Sequence, residues 1–175
     1  MLDFGLAAPD ADAALVAAAQ AGDRAAFGRL YERYARMVHG ILLAHVPWSD
    51  AEDLQQDVFV TALQRLGSLR EAGAFGGWLA AIARHAAFDR HRRQRPTVAA
   101  DEFLPGPDAP RLEAMAVLAE IHRLPEAYRE SLTLRLVEGL TGPEIAARVG
   151  LTPDSVRVNL HRGLKMLKER LEPKP

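Results

Sequence analysis

The chain has 175 residues, 49% of them hydrophobic, which is enough to bury one moderate core or two small ones and too apolar for general disorder. Its formal net charge of -1 argues, taken alone, against a nucleic-acid binder. The absence of cysteine excludes a disulfide framework, a thiolate metal site and a cysteine nucleophile, and it suits a reducing cytosol.

The segment Met1 to Ala14 carries Asp3, Asp10 and Asp12 without a basic residue, so it lacks the start of a secretory signal and reads as a loose tail. No apolar run approaches the roughly 20 residues that span a bilayer. Ala13 to Ala21 reads as a short helix. Asp23 caps a longer one, whose stripe is Phe27, Leu30, Tyr31, Tyr34, Val38, Ile41 and Leu42, and Pro47 ends it. Ser49 and Glu52 have the spacing of a capping box for the next helix, which buries Leu54, Val58, Ala62 and Leu66. Asp50, Asp53, Gln56 and Asp57 share its other face. After a glycine-rich break at Gly67 to Gly77, a fourth helix is expected from Trp78 to Arg95, buried along Leu79, Ile82, Ala83, Ala86 and Ala87.

Pro96 to Pro110, with Pro105, Gly106 and Pro107 inside it, forbids regular structure and reads as a linker. Beyond it, Leu112 to His122 and Pro125 to Val137 are two helices joined by Arg123 and Leu124. Thr141 to Val158 then reads as helix, turn, helix. Thr141 and Glu144 form a capping box, Gly150 closes the first helix in the left-handed conformation, and Thr152-Pro153 starts the second. Ile145, Ala146, Val149, Leu151 and Val156 pack the pair, as a DNA-binding helix-turn-helix requires. The helix from Pro153 to Leu171 would be about 28 Å long at 1.5 Å per residue. Leu160, Leu164 and Leu167 continue its apolar stripe, opposite Ser155, Arg157, Asn159, His161, Arg162 and Lys165. The fold class is therefore all-α, with two small helical domains, 13–95 and 112–172, on either side of a Pro/Gly-containing linker at 96–111.

The near-neutral charge hides segregation. Asp50 to Asp57 holds four acidic residues and no basic one, Arg84 to Arg95 holds five arginines against Asp89, and Arg157 to Arg170 sets five basic residues against Glu169. Blocks of opposite sign suit different partners, phosphate at the basic ones and a basic protein face at the acidic one. Solvated helix faces are the plain alternative.

Four stretches in order and spacing resemble the extracytoplasmic-function (ECF) sigma factors of bacterial RNA polymerase. They are Asp50-Ala-Glu-Asp-Leu-Gln-Gln-Asp-Val-Phe, Gly77-Trp-Leu-Ala-Ala-Ile-Ala-Arg, Leu124-Pro-Glu-Ala-Tyr-Arg-Glu and Val156-Arg-Val-Asn-Leu-His-Arg-Gly-Leu-Lys. The resemblance covers residues 13 to 172. It implies a cytoplasmic initiation factor that docks on the clamp helices of the polymerase largest subunit through Asp50, Glu52, Asp53, Gln56 and Asp57. It implies that the Leu66 to Trp78 segment and the helix after it open the minus-10 element, with Phe75, Arg84, His85, Phe88, Arg90, Arg92 and Arg93 as candidate contacts. Single-stranded DNA needs stacking faces and cations, for which Phe75, Trp78, Phe88 and these arginines are candidates, although Trp78, at a helix start on the apolar side, and Phe88 with it are expected to take core roles instead. Ser155, Arg157, Val158, Asn159, His161, Arg162 and Lys165 would face the minus-35 element. The resemblance further implies an anti-sigma partner, no cofactor and no membrane insertion.

The chain departs from the family at several of these positions. Gly76-Gly77 stand where many relatives carry Arg-Thr, His85 stands for asparagine, Val158 for serine and Asn159 for a basic residue, and Leu164 and Met166 replace common arginines. A weaker or differently specific minus-35 contact is the expectation. Two other function classes fit the residues less well. A helix-turn-helix regulator acting without polymerase has no evident need for the acidic face. An enzyme finds no support, since the six histidines have no metal spacing and neither a nucleophile elbow nor a phosphate loop occurs.

Overall fold

A computed structural model describes residues 9–93 and 109–171, apart from the side chains at 9–11, 91 and 109–111. The expected linker at 96–111 and the first residues of the tail lie largely outside the described residues. Eight α-helices occur among those described: α1 Pro9–Gln20, α2 Arg24–Leu43, α3 Trp48–Arg65, α4 Phe75–Arg93, α5 Ala109–Ile121, α6 Glu126–Leu136, α7 Gly142–Val149 and α8 Pro153–Leu171. Two 3-10 turns, Leu66–Ser68 and Ala72–Ala74, link α3 to α4. The fold is all-α, and α7 and α8 form the helix-turn-helix.

Local chemistry sets most helix starts. Asp23 accepts hydrogen bonds from the backbone of Ala25 and Ala26, satisfying two of the free N–H groups of α2. At α7, Thr141 N–H donates to Glu144 Oε2 at 2.7 Å while Glu144 N–H donates to Thr141 Oγ1 at 3.4 Å, the expected reciprocal box. Gly150 ends α7 with φ +73°, and Thr152 Oγ1 accepts from Ser155 N–H at 3.1 Å to start α8.

The start of α3 differs from expectation. Pro47, at φ -58° and ψ 155°, is the residue that enters the helix, so Trp48 is already helical and Ser49, two residues past the cap position, lies too deep to cap. Glu52 instead accepts from Trp48 Nε1 at 3.2 Å. The start of α4 differs as well: it begins at Phe75, so Gly76 and Gly77 lie in its first turn rather than in a preceding break.

The core runs from α1 to α4 through Val16, Leu30, Met37, Ile41, Val58, Phe59, Phe75, Leu79 and Ala83. It continues without interruption into Leu118, Leu134, Leu140, Ile145, Val149 and Val156 of the C-terminal helices. A smaller cluster of Ile121, Leu124, Leu132 and Leu167 holds α5, α6 and α8 together. The two domains thus share one apolar cluster, built mainly where α6 and α7 lie on α2 and α4. Leu151, in the turn before α8, and Leu164, on α8, were expected to pack but are 37% and 40% exposed; α8 approaches α6 closely at Gly163, where a Cβ would stand 2.9 Å from Leu132 Cδ1.

Candidate functional site

Three polar surfaces emerge from this scaffold. On α3, burial of Ala51, Leu54, Val58 and Ala62 turns Glu52, Asp53, Gln56 and Asp57 to solvent. Asp50 leaves that set. It is mostly buried and receives two hydrogen bonds from Arg90 of α4, at 3.3 and 2.9 Å. The Asp50 bond, then its charge and those of Asp53 and Asp57, stabilise the Arg90 cation and raise its pKa.

The second surface is α4, and here expectation and structure part at several positions. Phe75 is fully buried, its ring 5.1 Å from that of Tyr34 and 5.8 Å from that of Trp78, so it fills the core and offers no stacking face. Phe88, expected in the core like Trp78, is instead 48% exposed and keeps its ring 5.2 Å from that of His45. Trp78 is half-buried against the core. His85 and Arg93 are exposed, and Arg92 pairs with Asp89 one turn away at 3.1 Å. Arg84 is taken by the C-terminal half, donating two hydrogen bonds to Glu130 of α6 at 2.9 and 2.6 Å.

Between α3 and α4 lies an open groove of about 590 Å³ whose walls include Thr61, Arg65, His85, Asp89 and Arg93 above a floor of Leu54 and Ile82. Thr61 and Arg65, which follow Asp57 at four-residue steps along one face of α3, belong to this surface although the sequence reading did not single them out. Only the pairing of α3 with α4 brings them beside His85.

The third surface is the outer face of α8. Ser155, Arg157, Val158, His161, Arg162 and Lys165 are exposed along it, and Asn159 is half-buried. The Ser155 hydroxyl is 2.8 Å from Thr152 Oγ1, within the cap of the helix, and Arg157 pairs with Asp154 at 3.2 Å in full solvent. Such an exposed pair holds its cation weakly, leaving it available to a phosphate. A left-handed glycine turn, a capped first helix and a cationic second helix have the form that enters a DNA major groove.

Glu130 and Glu138 are residues that the sequence did not single out. Burial pushes the Glu130 carboxyl up, but Arg84, with His45 beside it, more than offsets this and holds it at about 2. His45 Nε2 is itself buried and stands 3.9 Å from Glu130 Oε2, beyond hydrogen-bond reach. Glu138 accepts from His39 Nδ1 at 2.7 Å and lies 3.9 Å from Arg36 Nε. Among the described residues no group of His, Asp and Glu is arranged to hold a metal ion, and no helix is long and apolar enough to cross a membrane.

The Sigma-70 region 2 family matches residues 30–97, and the Sigma-70 region 4 family matches residues 114–167. The ECF RNA polymerase sigma factor BldN of Streptomyces coelicolor is 33% identical over 177 residues, covering 91% of this chain and 67% of its own. The ECF RNA polymerase sigma-E factor of Haemophilus influenzae is 31% identical, covering 93% of this chain and 96% of its own. Among solved structures, CnrH in complex with the cytosolic domain of CnrY matches with a TM-score of 0.67 at 29% identity, covering 93% of this chain and 97% of the matched one. Both Sigma-70 regions are present in order on an all-α scaffold, and relatives above 30% identity match over most of their length: the chain belongs to the ECF family of RNA polymerase sigma factors, which bind core polymerase and direct it to promoters.

Proposed function

We propose that initiation by this chain is divided among the three surfaces, with 13–95 as the domain that binds core polymerase and opens the minus-10 element, and 112–172 as the domain that reads the minus-35 element. The observation that carries this reading is the co-exposure of Glu52, Asp53, Gln56 and Asp57 on one rigid helix and of a cationic recognition helix at the other end of the chain. The acidic face suits the clamp helices of the polymerase largest subunit, where complementary charge supplies steering and orientation. Asp50 takes part by fixing Arg90 rather than by direct contact. On α4, Arg84, His85, Phe88, Arg90, Arg92 and Arg93 remain the minus-10 candidates, Arg84 being paired with Glu130 in this structure, while Phe75 acts from the core. On α8, Arg157, Val158, Asn159, His161 and Arg162 meet base edges and phosphates, with Ser155 and Lys165 at the flanks.

The chain is assigned no catalytic residue and no cofactor, and its place of work is the cytoplasm, where polymerase and promoter are. A protein partner that sequesters it is part of the proposal, supported by CnrH having been solved in complex with the cytosolic domain of CnrY.

The test is run-off transcription from a promoter-fragment library with core polymerase, comparing the parent chain with Asp53→Lys/Asp57→Lys and with Arg157→Ala/Arg162→Ala. The first variant is expected to lose core binding while keeping duplex affinity, and the second to keep core binding and lose fragment selection. Duplex binding by a parent chain that ignores core polymerase would instead favour a free-standing helix-turn-helix regulator.

A further inference from the structure

The segment that joins α3 to α4 has little of its own to fix its course. Its two 3-10 turns, Leu66–Ser68 and Ala72–Ala74, are separated by Leu69, Arg70 and Glu71, and the backbone is extended at Leu69 and Glu71, with ψ 111° and 106°. Among the described residues, the backbone N–H groups of Arg70 and Glu71 have no backbone partner. Leu69 is half-buried against the core, whereas Arg70 and Glu71 are exposed. An exposed stretch without a hydrogen-bond ladder keeps one conformation only where groups outside it grip it.

α1 supplies that grip. Gln20 is its last residue, and the side-chain amide donates to the Leu66 carbonyl at 2.9 Å and to the Leu69 carbonyl at 2.9 Å. The first oxygen lies at the C-terminal end of α3, where helical carbonyls lack helical partners, and the second lies where the chain leaves the first 3-10 turn. One NH2 group thus spans the turn, using both of its hydrogens. Gln20 is itself fixed by the way α1 ends. Gly22, at φ +98°, lets its own N–H reach the Ala19 carbonyl and the Asp23 N–H reach the Ala18 carbonyl, both at 3.0 Å, a paired closure of the helix. A locally determined position on α1 is therefore carried to a turn 46 to 49 residues further along the chain.

What this grip aims is Arg70, the residue after Leu69. Its guanidinium is exposed and makes no ion pair among the described residues. The adjacent, exposed Glu71 cancels its charge at a distance, so the loop as a whole does not draw phosphate by net charge. Capture then depends on placing the guanidinium fork where a backbone phosphate passes. We propose that Gln20 is a positioning residue for promoter opening: it holds the Leu66–Leu69 turn so that Arg70 meets a phosphate of the strand displaced at the minus-10 element. The inference rests on the minus-10 reading of this segment and of α4, and it adds two residues to that reading, one that touches DNA and one that acts through it.

Opening is read as the fluorescence rise of 2-aminopurine placed in the minus-10 element of a promoter fragment recovered from the run-off library, with core polymerase and the full chain. Gln20→Glu keeps the side-chain shape but turns acceptor oxygens on the two carbonyls, and it is expected to lower the open-complex equilibrium about tenfold, the effect of losing two ordinary hydrogen bonds. Gln20→Lys, whose ammonium can donate to both carbonyls, is expected to restore opening to within about threefold of the parent. Arg70→Ala is expected to lose about tenfold, and Gln20→Glu/Arg70→Ala no more than that, because the two residues act through one contact. Core binding and minus-35 duplex binding are expected to stay at the parent level throughout, which a general loss of folded chain would not allow. Undiminished opening with Gln20→Glu, or single losses that multiply in the double variant, would overturn the proposal. His85→Ala/Arg93→Ala separates the two ways of failing. If it impairs opening while the Gln20 and Arg70 variants do not, the positioning role alone falls; if all of them leave opening intact, the minus-10 reading of the region falls with it.

Discussion

Arg84 of α4 and Glu130 of α6, which lie 46 residues apart in sequence, are joined by two parallel hydrogen bonds across the seam between the domains. This pair makes the stability of the docked chain sensitive to acid. The Glu130 carboxyl is held at about 2, below its ordinary 4.5, which corresponds to at most about 3 kcal/mol. Because the folded-state pKa is the lower one, that contribution is complete above about pH 4.5 and is lost as pH falls toward 2. Between pH 6 and pH 3, Glu130→Gln is expected to lose about 2 kcal/mol less stability than the parent chain in urea denaturation. Parallel pH curves would remove Glu130 from the account.

Gly150 and Gly22 separate backbone strain from crowding. Both have positive φ, +73° and +98°, but only Gly150 has a neighbour within 4 Å of an added Cβ, Gly77 Cα at 3.3 Å. Gly22→Ala is expected to cost about 1 kcal/mol through strain alone, and Gly150→Ala about 2 kcal/mol or more because it also presses on the seam. Equal losses in chemical denaturation would show that the close approach of Gly150 to Gly77 contributes nothing.

Thr141 and Ser49 both precede a glutamate three residues on, yet only Thr141 caps a helix. Thr141→Ala is therefore expected to lower stability by about 1 kcal/mol, and Ser49→Ala to leave it within about 0.5 kcal/mol of the parent. A comparable loss at Ser49 would restore it as a capping residue.

Asn159 stands on the recognition helix beside exposed Arg157 and Val158. Asn159→Arg is expected to add one phosphate contact, tightening duplex binding and steepening its salt dependence by about 0.9 in log–log slope. Fluorescence anisotropy across a salt series checks this, and unchanged affinity and sequence preference would argue that Asn159 does not limit the minus-35 contact.

The features legible in the linear order are local ones. The cap at Asp23, the box at Thr141 and Glu144, the left-handed Gly150 and the helical spacing of Leu54, Val58 and Ala62 each depend on residues within a turn or two, so their signals survive in the linear order. The outward acidic face of α3 follows from that spacing, and so does the cationic face of α8. Local rules also misled where backbone geometry chose among them: Pro47 entered α3 before Ser49 could cap it, and α4 took in Gly76 and Gly77.

The tertiary structure decided which of the charged and aromatic residues are available. Asp50 and Arg90 are 40 residues apart, Arg84 and Glu130 are 46, and His39 and Glu138 are 99, so no periodicity announces these partners. Phe75 is adjacent to two glycines in sequence and reads as a surface residue, yet its ring lies between Tyr34 and Trp78 because α4 crosses α2 there. The glycines themselves gain meaning only when α6 and α7 arrive against them. Close approach of two backbones is a property of packing, and a residue without a side chain records only that something else occupies its space.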